Sequence, residues 1–137
     1  MKLILVIMTI LLLSVVSVNA QVSVIVNKSV HETTLNTNTL ANIYTLTTSK
    51  WKNGGKIVLF DAFAKDIKNT VCKYISKDPF SLKREWLKKQ LTGAAKVPKS
   101  IKSDDEMISK VASTPGAIGF VKSSNVTGDV KVLLEIK

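Results

Sequence analysis

The residues with chemistry to offer are few, and they suit binding better than catalysis. Ser29 follows an alternating apolar stretch, and Ser103 precedes Asp104, Asp105 and Glu106. A hydroxyl at the end of a strand or the start of a helix can donate to an anion beside unpaired backbone N–H groups. Ser29 is the ligand-binding candidate, with plain turn formation as its alternative. At Ser103 three acids would repel an anion, so that stretch reads as a capping box. Lys83, Arg84, Lys88 and Lys89 form a dense cationic group suited to docking an acidic partner. Catalysis finds little support, because no Ser, His and acid fall into a motif such as a nucleophile elbow. One His, His31, and one Cys, Cys72, leave no metal-ligand set, and neither a metal nor a cofactor is expected. Cys72 reads as a small buried hydrophobe, with pairing between chains as the alternative.

The cations are unevenly placed. The 137-residue chain carries 20 Lys or Arg against 10 Asp or Glu. Residues 65–102 hold eleven of those cations and three of the acids. Such a segment is open to three readings: a solvated helical face, a surface attracting an anion, an acidic surface or anionic lipid, or a nucleic-acid site. Nucleic acid is set aside, because the two Trp and two Tyr do not interleave with the lysines as stacking platforms would.

The elements that must carry these residues follow from periodicity. Residues 1–20 have a basic start at Lys2, an apolar run, and the tripeptide Val18-Asn19-Ala20. That layout is a signal peptide cleaved after Ala20, since a spanning helix needs ~20 apolar residues. The mature chain, residues 21–137, is then periplasmic or secreted. Residues 21–27 alternate as a strand, and residues 40–46 suit a short helix. Residues 51–56 turn on Asn53-Gly54, and residues 57–60 form a buried strand. Phe63, Ile67, Val71, Tyr74 and Ile75 recur at helical spacing, with Asp61 as cap. Asp78-Pro79 starts a second helix with Leu82, Trp86, Leu87 and Leu91 inward, ended by Gly93. Residues 94–102 are a basic connector. The helix capped by Ser103 turns Met107, Ile108, Val111 and Ala112 inward, and Pro115-Gly116 stops it. Residues 117–121 and 130–136 close the pattern as strands. Strands alternating with helices predict one α/β domain, a mixed sheet flanked by helices.

Several of these residues form a familiar set. They are Ile43-Tyr44, Trp51 with Asn53-Gly54, Lys56-Ile57 leading to Asp61, Trp86 ahead of Gly93, and Glu106-Met107. The most specific block is Val111-x-x-x-Pro115-Gly116-Ala117-Ile118-Gly119-Phe120-Val121. The chain resembles short proteins of the phosphate ABC-transporter substrate-binding family, within the type II periplasmic binding-protein superfamily. The resemblance implies a single lobe of a periplasmic binding-protein-like fold. It also implies a soluble, non-catalytic binding protein for phosphate or a similar small anion, accessory to uptake or sensing. Full-length relatives close two lobes on phosphate. Those that grip it carry an Arg and a Ser-Gly-Thr-type loop after the second strand. Here that place reads Phe60-Asp61-Ala62-Phe63-Ala64-Lys65, so no phosphate-binding residue is carried over from it. The departure opens an alternative: a ligand-free interaction module whose basic 65–102 surface docks an acidic partner, such as an envelope protein.

Overall fold

The computed structural model describes residues 21–137; the signal peptide expected over residues 1–20 lies outside them. Residues 21–137 form five strands and four α-helices. They are β1 (Val22–Val26), α1 (Thr37–Tyr44), β2 (Val58–Ala62), α2 (Lys65–Tyr74) and α3 (Pro79–Leu91). Then come β3 (Lys99–Ile101), α4 (Asp104–Ser113), β4 (Ala117–Lys122) and β5 (Lys131–Ile136). The strands form one mixed sheet in the order β3-β2-β4-β1-β5. β2 pairs in parallel with β3 and β4, while β1 runs antiparallel to both β4 and β5.

β1 and β4 are buried along almost their whole length, because the centre of the sheet is covered on both sides. Alternation along β4 separates the two covers. A Cβ built on Gly119 would lie 2.5 Å from Met107 Sδ and 3.0 Å from Val111 Cγ2, so the missing side chain lets α4 lie close on that face. Phe120, on the opposite face, meets Tyr44 of α1 edge-on at 5.3 Å between ring centroids. Tyr44 in turn stands edge-on to Trp86 of α3 at 5.4 Å. Such aromatic pairs contribute about 0.5–1.5 kcal/mol beyond the area they bury.

The Pro-Gly block earns its residues structurally. Gly116 has φ +76, and a Cβ there would overlap the Lys56 carbonyl oxygen. Its carbonyl accepts from Trp51 Nε1 at 2.9 Å and from the Val58 N–H at 3.1 Å. Asn27 donates through Nδ2 to the Val111 and Ala112 carbonyls, tying the end of β1 to the last turn of α4.

Five expectations change. α1 begins at Thr37 rather than at residue 40 and ends at Tyr44, with Asn36 Oδ1 accepting from the Thr39 N–H at 2.8 Å as its cap. The basic connector contains β3, a three-residue edge strand pairing in parallel with β2. Asp61 is no cap: β2 runs through it to Ala62, and Ala64 caps α2 without a side-chain bond. Phe63 and Ala112 face solvent. α3 is rotated from its expected setting, burying Leu82 and Trp86 but exposing Leu87 and Leu91.

Candidate functional site

The end of β2, where an anion-binding loop would sit, is taken up by a self-neutralised internal cluster. Alternation sets Asp61 on the opposite face of the sheet from Phe60 and Ala62; both faces are covered here, and its carboxylate is buried. Tyr44 donates its O–H to Asp61 Oδ1 at 2.5 Å, and Lys68 Nζ donates to Oδ2 at 2.9 Å. The Lys68 ammonium also lies 5.3 Å from the Trp86 ring centroid. Burial, reinforced by the Asp61 charge and hydrogen bond, pushes the Tyr44 hydroxyl far above its ordinary value, so it remains a donor. Cys72, buried on α2 beside this cluster, is pushed up to about 11. Burial is the main cause; Lys68 opposes it, and the Asp61 and Asp78 charges add to it. The thiol is therefore protonated and covered, a packing residue rather than a nucleophile. The N-terminus of α2 offers an anion little, since Asp66 lies in its first turn and accepts from the Ile67 N–H at 2.9 Å.

The other hydroxyl candidates also have internal work. Ser29 is exposed, and its Oγ accepts from the Gly116 N–H at 3.1 Å. Its own N–H donates to Asn27 Oδ1 at 2.9 Å, a local turn of Asx type. Its O–H proton remains to donate. Ser103 accepts from the Glu106 N–H as the cap of α4. Asp104 accepts from the Lys122 N–H and from Asn125 Nδ2.

A cationic depression opens elsewhere. A cleft of about 820 Å³ lies where the end of α1, the start of β2 and the segment leading into β3 meet. Ile43, Leu46 and Ile57 are among its apolar lining, and Lys56, Lys96 and Lys99 among its polar lining. The hydroxyl residues Thr47, Thr48 and Ser49 also line it, and no Asp or Glu does. Leu46 holds φ +62 at the end of α1, a conformation that costs a non-glycine residue about 1 kcal/mol and that here accompanies a place in the cleft wall.

The α3 quartet divides. Lys83, Arg84 and Lys88 are exposed. Lys89 is half-buried and donates to the Thr45 carbonyl at 2.7 Å. Together with Trp86 Nε1, which donates to the Tyr44 carbonyl at 2.8 Å, it covers the C-terminal carbonyls of α1. Those two bonds fix the rotation of α3 and leave Phe80, Leu87 and Leu91 pointing outward. Periodicity alone sets Leu87 and Leu91 inward and leaves Phe80 unassigned. The signal was present in their spacing, since residues 80, 87 and 91 share one helical stripe as plainly as 82 and 86 share the other.

No family model matches the sequence, and no curated protein matches it. Solved structures do. A Clostridium perfringens protein assigned to the phosphate ABC transporter substrate-binding proteins, with bound phosphate, superposes with a TM-score of 0.67 at 16% identity, covering 83% of this chain and 45% of that one. PstS from Borrelia burgdorferi gives 0.61 at 20% identity, covering 83% and 47%. An ABC-type phosphate transport receptor from Vibrio cholerae gives 0.56 at 20% identity, covering 83% and 46%. The chain thus spans less than half the length of each of these structures. Residues 21–137 therefore have the fold of a single lobe of the phosphate ABC transporter substrate-binding proteins.

Proposed function

We propose that this chain is a non-catalytic binding lobe working outside the cytoplasm, periplasmic or secreted, and that its ligand is phosphate or a similar oxyanion held in the cleft beside β3. The observation that carries this reading is the lining of that cleft: three lysines, three hydroxyl residues and no carboxylate. A site lined by one sign of charge with low-dielectric walls concentrates the opposite charge. Ammonium and hydroxyl groups supply the donors that an oxyanion needs. Two of the solved structures that share the fold are phosphate-transport binding proteins by name, one of them with phosphate bound. Ser29, with one O–H to donate, is the lesser candidate for the same role. Titration of residues 21–137 with phosphate in a calorimeter tests the reading. Saturable heat at millimolar phosphate, lost in Lys56→Gln/Lys96→Gln/Lys99→Gln, supports it; no heat at millimolar phosphate refutes it.

A second reading is favoured by α3. Lys83, Arg84 and Lys88 stand exposed on one side of the helix, within the basic 65–102 segment. A lobe whose loop after β2 has been replaced by an internal ion pair could serve as an interaction module, docking an acidic partner through that face. Changing Lys83, Arg84 and Lys88 to Gln should then abolish partner capture. Capture that persists unchanged removes this reading.

A further inference from the structure

We infer that the acidic partner of the α3 face is the anionic headgroup surface of a lipid bilayer, on which α3 lies flat with Phe80, Leu87 and Leu91 inserted. The inference rests on the docking reading given above and names its partner. Phe80, Leu87 and Leu91 are 79%, 45% and 88% exposed, large apolar side chains that the fold leaves in water. At about 100° per residue, positions 80, 87 and 91 fall within roughly 40° of one another around the helix axis. Lys83 flanks that stripe on one side, and Arg84 and Lys88 flank it on the other. The buried Leu82 and Trp86 lie on the far side of the helix. The stripe runs for about 16 Å along the axis, at 1.5 Å per residue.

An outward row of Phe and Leu edged by Lys and Arg is the arrangement of a helix lying in a membrane interface. The apolar tips reach the acyl boundary while the long basic stems extend their charges to the headgroups. A second copy of this chain is a poor occupant, because the 65–102 segment, with eleven cations and three acids, would face its own like charges. An acidic protein would satisfy the cations. Energetic anchors at protein interfaces, however, work by filling pockets on the partner. A ridge on a convex helix needs none when the partner is a fluid surface. No helix among the described residues is long and apolar enough to cross a membrane.

The test uses residues 21–137 with vesicles of phosphatidylcholine alone or mixed with phosphatidylglycerol, read by flotation. The chain should float with the mixed vesicles and remain behind with the neutral ones. Binding should weaken steeply as salt rises toward about 0.5 M. Lys83→Gln/Arg84→Gln/Lys88→Gln should weaken binding about a hundredfold, from about fivefold per basic residue near an anionic surface. Phe80→Ser/Leu87→Ser/Leu91→Ser should weaken it at least about tenfold while the chain stays folded by circular dichroism, since no side chain changed is fully buried. Equal binding by that apolar variant and the parent would overturn the inference. So would binding to soluble polyglutamate as tight as to mixed vesicles, although docking to an acidic protein would then stand. Failure to bind either probe would remove the docking reading as well. Self-association in sedimentation, abolished by the apolar variant, would assign the face to a second copy instead and overturn the lipid assignment.

Discussion

Changing Asp61 to Asn should destabilise the fold while leaving the affinity for phosphate unchanged. The carboxylate is buried and accepts two bonds, from Tyr44 at 2.5 Å and from Lys68 at 2.9 Å. The amide introduced by Asp61→Asn would keep one oxygen, enough for Tyr44, but would turn its N–H₂ toward the Lys68 ammonium. One charge-assisted bond is then lost, worth about 1.5–3 kcal/mol. The released ammonium does not remain stranded, because the Lys68 side chain is 27% exposed and can recover water. Screening at that partly exposed partner trims the cost. The net loss should be about 2 kcal/mol, a large share of the stability of a small domain. Urea unfolding of residues 21–137 reads it directly, as a midpoint lowered by about 1 M if the slope is near 2 kcal/mol per molar. A loss below about 0.5 kcal/mol would mean that the pair carries no net stability. A loss of phosphate binding without a loss of stability would mean that the carboxylate faces the ligand.

Other outcomes follow from the same contacts. Gly116→Ala should cost at least about 2 kcal/mol in thermal unfolding, from a positive φ and from overpacking against a backbone oxygen that cannot swing aside. Ser29→Ala removes the acceptor of the Gly116 N–H and should cost about 1 kcal/mol without altering phosphate heat if the cleft is the site. Stability should also fall in alkali. The folded Cys72 thiol keeps its proton to about 11 against an ordinary 9.0, so its contribution is fully present below pH 9 and is lost as pH rises toward 11. Tyr44, also raised, extends the loss to higher pH. Between about pH 9 and pH 10, Cys72→Ala should show a shallower decline than the parent chain in urea midpoints; an identical slope would mean that the thiol is not protected.

Much of the fold was legible because local signals agreed with tertiary ones. The alternation at Val22, Val24 and Val26 sits in a strand, and Ser103 caps α4 as its spacing with Glu106 required. Pro115-Gly116 turns where only a glycine fits. The failures share a cause. α3 presents apolar residues on two opposite sides, and the choice between them rests on hydrogen bonds from Trp86 and Lys89 to carbonyls more than forty residues away. Asp61 resembles a helix cap locally, and its role is set by Tyr44 and Lys68, whose approach no local pattern announces. β3 is three residues long, with two of them exposed, too short for alternation to register. The cleft is assembled from segments spread over 43–60 and 90–99, so the sequence could say only that any anion needs cations other than those near Asp61.

The proposed function depends above all on where phosphate touches the chain. Amide chemical-shift mapping of residues 21–137 during a phosphate titration to about 10 mM would locate that contact. Binding in the cleft predicts saturable shifts at residues 47–49, 56 and 93–99, with residues 61–66 unmoved. Saturable shifts centred on residues 61–66, or none anywhere, would contradict it.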